Sequence, residues 1–232
     1  MQKKQWANTQ IWYDEKLLTD EVSASFDPKY WQDQKAVIGQ AYGRGITWFV
    51  QTKHLPCALR HYYRGGLLGR IIRDLYPFTG WKQTRAYREF ILLAELRSLG
   101  VPVPRPVAAR VVKYGLFYRA DLLSELIPHT QDLVTILMQK TISDSLCQKI
   151  GKLVRQLHDA GVCHSDLNIH NILVDKEERL WLIDFDKCGH RSGKAWKAEN
   201  LSRLKRSFAK EIRKHQIHWT RAQWDLLLQA YL

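Results

Sequence analysis

The chain has 232 residues, 45% of them hydrophobic, which is enough to build one compact domain or two small lobes sharing a cleft. Its 36 Lys and Arg against 23 Asp and Glu leave a net charge of +13, which points to an anionic partner (a nucleotide, a nucleic acid or an acidic membrane surface) without choosing among them. Cys57, Cys147, Cys163 and Cys188 form no Cys-x-x-Cys pair, so neither a zinc site nor a disulfide framework is expected and a reducing cytoplasm is. The first residues lack the apolar core of a secretion signal, and no run reaches the roughly 18 apolar residues of a membrane span, so any membrane contact is expected to be peripheral.

Residues 1–35 are polar and aromatic with weak periodicity, and predict a partly ordered extension packed on the first lobe, whose rings, Trp6, Trp12, Tyr13, Tyr30 and Trp31, serve as local core. Residues 36–50 read as apolar run, glycine-containing turn, apolar run: a hairpin with Gly39, Gly43 and Gly45, whose tip backbone can approach phosphates closely. An ordinary hairpin turn would explain these glycines equally well. A strand follows over 56–63, ending at Arg64-Gly65-Gly66. Thr84 can cap a helix running to about Leu99, with Ala86, Phe90, Leu93 and Leu96 on one face and Gly100 as its stop; Glu89 and Glu95 are its candidate acids.

Val101 to Pro106 reads as an extended connector, and 107–112 and 116–127 as a hairpin around Lys113-Tyr114-Gly115, giving a first lobe of about five strands and one main helix. Helices are expected over 132–139 and 144–160, the second with Leu146, Ile150, Leu153, Val154 and Leu157 as a core stripe and Gly161 as terminator. The end of the chain, 193–232, is helical and basic, with Arg203, Lys205, Arg206, Lys210, Arg213 and Lys214 interleaved with Trp196, Phe208, Trp219 and Trp224. A solvated helix face accounts for the charges alone, whereas the tryptophans point to an interfacial role.

The stretch carrying chemistry lies between. Asn171 to Val174 and Leu180 to Ile183 flank a charged turn, the pattern of a small buried hairpin. Asp166 and Asn171 precede its first strand and Asp184 ends its second, so chain reversal brings residues 18 apart (184 − 166) into one site. Three such oxygen donors suit a hard Mg²⁺ bound to a nucleotide. Phosphoryl transfer needs one carboxylate to orient the attacking hydroxyl, the role expected of Asp166, and oxygens to hold the metal, the role expected of Asn171 and Asp184.

His164-Ser165-Asp166-Leu167-Asn168-Ile169-His170-Asn171 with Asp184-Phe185 resembles the catalytic loop and metal motif of protein kinases. On that resemblance, Cys57 to Arg60 stands where kinases have Val-Ala-Ile-Lys, with Arg60 as the phosphate clamp and Lys53 as the alternative should the register differ. Glu89 is then the expected partner of Arg60, and Glu125 to Pro128 falls where kinases have the adenine-binding hinge, with Glu125 and Ile127 supplying backbone groups. Ser165 replaces an arginine that reads a phosphorylated loop in many kinases, Asp186 replaces the glycine after Asp-Phe, and 46 residues (232 − 186) follow, so a sugar-like acceptor is expected rather than a folded protein.

Together with Gly43-Arg44-Gly45, Ala58-Leu59-Arg60-His61-Tyr62 and Arg64-Gly65-Gly66-Leu67-Leu68, these motifs resemble the 3-deoxy-D-manno-octulosonic acid (Kdo) kinases of Gram-negative bacteria. The resemblance implies an α+β, protein-kinase-like fold with a strand-rich first lobe (1–127) and a reduced helical second lobe (128–232). It also implies ATP and Mg²⁺ as cofactors and phosphorylation of the 4-hydroxyl of Kdo on Kdo-lipid IVA at the cytoplasmic face of the inner membrane. No nucleic acid and no obligate protein partner are expected. A heptose kinase, an aminoglycoside-type phosphotransferase and a catalytically dead kinase-like module binding anionic lipid or nucleic acid are the competing readings.

Overall fold

The structure is a computed structural model that describes residues 1–43, 45–64 and 73–232. It divides into two compact units, Met1–Ala94 with Arg105–Pro128, and Glu95–Pro104 with His129–Leu232. Residues 95–104, which precede the expected boundary after 127, group with the second unit. The first unit is rich in strands and the second in helices, an α+β organisation.

The first unit contains β1 (Gln2–Trp6), β2 (Thr9–Tyr13), α1 (Pro28–Asp33), β3 (Val37–Tyr42), β4 (Ile46–Gln51), β5 (Pro56–His61), β6 (Tyr76–Pro77), α2 (Arg85–Ser98, whose last residues belong to the second unit), β7 (Pro106–Tyr114) and β8 (Phe117–Glu125). Among the described residues the strands form one antiparallel sheet in the order β1-β2-β7-β8-β5-β4-β3, with β6 also on β8. Successive residues of a strand face opposite ways, and the sheet uses both faces. On β2, Trp12 packs edge-on against Tyr87 of α2, with ring centroids 4.7 Å apart, while Ile11 joins a core with Leu18, Val22, Phe26 and Trp31 on the other side.

Residues 1–35 pack on the first unit as expected, but as regular structure rather than a partly ordered extension, and the sheet has eight strands rather than about five. β2 pairs with β7 from Thr9↔Val112 to Tyr13↔Ala108, and the segment after it buries Leu18, Phe26 and Trp31. Trp12 and Trp31 are core as expected, but Trp6 is exposed. α2 keeps its expected stripe, with Ala86, Phe90, Leu93 and Leu96 buried, and ends at Ser98, two residues before the expected stop Gly100, whose φ of +78° suits glycine. Thr84 does not act as the expected side-chain cap: its hydroxyl donates to the Trp81 carbonyl, and its own carbonyl accepts from the Arg88 amide.

The second unit contains β9 (Thr130–Asp132), α3 (Leu133–Gln139), α4 (Asp144–Asp159), β10 (Val162–Cys163), β11 (Ile172–Asp175), β12 (Leu180–Leu182), β13 (Gly189–His190), α5 (Ala195–His215) and α6 (Arg221–Tyr231). Ser143 caps α4 by accepting from the Leu146 amide, and the expected stripe is buried. At Gly151 a Cβ would lie 2.1 Å from the Leu227 carbonyl oxygen, so the α4 and α6 backbones meet at a distance only glycine permits.

That packing overturns the interfacial reading of the aromatic residues near the end of the chain. Trp196, Phe208, Trp219 and Trp224 are all buried, and Phe208 stacks on Trp219 with centroids 4.0 Å apart. Trp196, Asn200, Leu204 and Phe208 recur every fourth residue on the buried face of α5, which leaves the lysines and arginines on its solvated face.

Candidate active site

In the second unit the segment between β10 and β11 is held by buried polar contacts. His164 has no exposed surface; its Nε2 donates to the Ile183 carbonyl at 3.0 Å and its Nδ1 accepts from the Asp166 amide at 3.2 Å. Both roles require a neutral ring, and burial lowers its pKa accordingly. Asn200 of α5 grips the same residue twice, accepting from the His164 amide at 3.1 Å and donating to its carbonyl at 2.9 Å.

This scaffold leaves the Asp166 carboxylate exposed, with Arg203 Nη1 3.4 Å from its Oδ1. Asn171 donates from Nδ2 to the Asp166 carbonyl at 2.9 Å, so its Oδ1 is the atom left for a metal. Its own carbonyl accepts from the Ile183 amide at 3.0 Å, which ties the residue before Asp184 to the loop. Asp184 has φ +61°, a left-handed conformation costly for a non-glycine residue and common where function demands it. Ser165, in place of a phosphate-reading arginine, donates from its hydroxyl to the Asp186 carbonyl at 2.8 Å, so a direct internal bond anchors the following turn.

In the first unit, β5 pairs Arg60 with Thr47, two residues beyond Gly45 at the β3–β4 tip, whereas Lys53 sits exposed in the opposite turn. Arg60 Nη2 meets Glu89 Oε1 at 2.5 Å, and the Tyr62 hydroxyl donates to the other carboxylate oxygen at 2.5 Å. The expected Arg60–Glu89 pairing is thus present, with Glu89 only 4% exposed and the guanidinium more open at 27%. The Gly43 amide donates to the Gly45 carbonyl at 2.9 Å, and a Cβ on Gly45 would fall 2.0 Å from the Tyr63 ring. Gly39 lies away from the tip, at a bulge in β3, where a Cβ would press on Phe49 at 3.2 Å. Arg44 and the stretch 65–72, which holds Gly65-Gly66-Leu67-Leu68, lie outside the described residues.

At the expected hinge, Arg105 takes the Glu125 side chain through its amide and its guanidinium, each at 3.0 Å, and its carbonyl accepts from the Glu125 amide. Ile127 is buried.

The model of the lipopolysaccharide kinase (Kdo/WaaP) family matches residues 28–231. The chain belongs to that family. A 3-deoxy-D-manno-octulosonic acid kinase of Photobacterium profundum is 55% identical over 97% of this chain and 95% of its own length. The enzyme of the same name from Vibrio cholerae is 55% identical over 92% of this chain and 91% of its own, and that from Haemophilus influenzae 48% identical over 91% of each. A solved granulovirus kinase, PK-1 of Cydia pomonella, overlays with a TM-score of 0.46 at 15% identity, covering 68% of this chain and 54% of its own, a likeness too distant to bear on the site.

For this lipopolysaccharide kinase the donor set fits magnesium. Among the described residues no group of three or more His, Cys, Asp and Glu gathers as a metal cage. Magnesium in nucleotide sites uses one or two protein oxygens beside waters and phosphates, which Asn171 and Asp184 can supply. Three contacts escaped sequence reasoning: that of Tyr62 with Glu89 in the first unit, and those of Asn200 with His164 and Arg203 with Asp166 in the second. Asn200 lies 36 residues from the backbone it holds and leaves no local signature, and Arg203 was grouped with the other basic residues of its helix.

Proposed function

We propose that the protein is an ATP-dependent kinase that phosphorylates the 4-hydroxyl of Kdo on Kdo-lipid IVA. What carries the reading is the exposed Asp166 carboxylate on a rigid, buried scaffold, in a chain half identical along its length to proteins named for this activity. The acceptor oxygen attacks the γ-phosphorus, the bond from that phosphorus to the β,γ-bridging oxygen breaks, ADP leaves, and Asp166 takes the hydroxyl proton. Asn171 Oδ1 and the Asp184 carboxylate would hold magnesium, which would supply charge neutralisation at the phosphate oxygens. Arg60 clamps phosphate, with Glu89 and Tyr62 fixing its direction; the Gly43 and Gly45 backbone approaches the same phosphates, and the Glu125 carbonyl and the Ile127 backbone meet adenine.

The test is ADP release with and without Kdo-lipid IVA. Turnover that requires this acceptor supports the reading. Turnover only with a heptose-bearing acceptor would move the protein to the heptose kinases, and tight lipid or oligonucleotide binding without any turnover would make it a binding module.

The acceptor's lipid places the reaction at the cytoplasmic face of the inner membrane. No helix among the described residues is long and apolar enough to cross a membrane, and the solvated face of α5 carries Lys205, Lys210, Arg213 and Lys214. Each can contribute about 1 kcal/mol at an anionic leaflet. Their joint change to glutamine should release the protein from anionic vesicles at low salt while soluble acceptors are still phosphorylated; unaltered co-sedimentation would reduce them to a solvating surface.

A further inference from the structure

A cavity of about 560 Å³ opens in the second unit beside the catalytic loop, lined by Ser165, Arg191, Trp196, Glu199, Arg203 and Arg206 among others. Its size falls in the range of small-molecule sites and can hold a sugar. Three arginines and one glutamate line it, so the cavity carries net positive charge although it adjoins the catalytic acid. Arg203 and Arg206 are three residues apart and share a face of α5, and that face is fixed because Asn200, Leu204 and Phe208 behind it are buried. Arg203 also links the cavity to the chemistry, since its Nη1 lies 3.4 Å from Asp166 Oδ1. That contact is long and solvent-exposed, the kind of ion pair worth little to stability and easily exchanged.

We propose that this cavity is the acceptor subsite and that Arg191, Arg203 and Arg206 select a sugar that carries a carboxylate. The inference rests on the proposed Kdo acceptor and adds what recognises it. A guanidinium fork matches a carboxylate with two parallel hydrogen bonds, a geometry lysine cannot supply. In such a sugar acid the carboxylate stands on ring carbon 2 and the hydroxyl on ring carbon 4, positions separated by a single ring carbon. An acid group held on Arg203 and Arg206 therefore leaves the hydroxyl near Asp166. Arg191 is steadied from the other side by its backbone amide, which donates to the Gly161 carbonyl at 3.0 Å.

The experiment uses two soluble acceptors without phosphate or lipid, the methyl glycoside of Kdo and its carboxamide, so the sugar carboxylate is the only anion tested. With the unaltered protein the carboxamide should raise the acceptor KM by roughly 10- to 100-fold, the usual worth of a hydrogen bond to a charged group. Arg206→Gln should raise the KM of the carboxylate acceptor by a similar factor, leave that of the carboxamide nearly unchanged, and affect kcat less than KM. Arg206→Lys should recover part of the loss. Equal effects of Arg206→Gln on both acceptors, or none on either, overturn the proposal. Should the unaltered protein phosphorylate neither soluble acceptor, the Kdo kinase reading is decided separately by turnover on Kdo-lipid IVA, and calorimetric titration of the same two glycosides decides the cavity: carboxylate-selective binding lost in Arg206→Gln sustains it, and unselective or absent binding overturns it.

Discussion

Replacing Asn200 with alanine removes a side chain that is 4% exposed and engages three groups at once. Its Oδ1 accepts from the His164 amide at 3.1 Å and from His158 Nε2 at 3.3 Å, and its Nδ2 donates to the His164 carbonyl at 2.9 Å. Each buried group left unpaired costs about 1 kcal/mol or more, so the variant should lose about 3 kcal/mol of unfolding free energy, a large share of the 5–15 kcal/mol typical of a folded domain. Urea unfolding should show this as a midpoint lower by about 1 M, for a slope of about 3 kcal/mol per M. Activity should suffer beyond stability, because His164 positions the Asp166 amide and a displacement of about 1 Å at a reacting group costs on the order of 100-fold. At a temperature where the variant remains folded, kcat should fall while nucleotide binding holds. A variant within 0.5 kcal/mol of the unaltered protein and with normal kcat would refute the view that Asn200 anchors the catalytic loop.

Asp166→Ala should cut turnover by about 10²- to 10⁴-fold with ATP affinity and stability nearly intact, since its side chain is 59% exposed; near-normal kcat would remove it from the mechanism. Asp184→Asn keeps a residue that tolerates the left-handed backbone but removes a charged metal ligand, so it should raise the magnesium concentration needed for turnover; unchanged metal dependence would point to Asp186 instead. Burial pushes His158 down from 6.5 to about 4, so the unfolded chain binds this proton first as pH falls. The contribution is intact above pH 6.5 and is lost progressively toward pH 4, by about 3 kcal/mol in all; acid titration of His158→Asn should show a shallower decline, and an unchanged slope would refute the assignment. His61 runs the other way: burial opposes its charging, but the hydrogen bonds and charges of Asp121 and Asp74 prevail, so its contribution is present at low pH and is lost as pH rises through its raised pKa.

The parts of the site legible in the sequence are those whose geometry is local. Asp166, Asn171 and Asp184 lie within a loop and one short hairpin, so the positions of its strands nearly fix the three side chains. The Arg60–Glu89 pair was readable through the kinase resemblance, which set Arg60 at the strand position of the lysine and Glu89 in the middle of the following helix. Other features needed the chain's path through space. β2 becomes a sheet strand because β7, a hundred residues later, offers it an edge, and the weak pattern of residues 1–35 contains no trace of that partner. Tryptophans among arginines in α5 and α6 looked interfacial because composition records which residues are present but not which face is covered; α4, approaching α6 at Gly151, belongs to the packing that makes them core. The same limit governs Arg203 and Asn200. On α5 they are ordinary polar residues, and only the passage of that helix beside the catalytic loop sets one against a carboxylate and the other against a backbone, since a hydrogen bond between distant residues depends on where the chain returns and imposes no periodicity on the sequence.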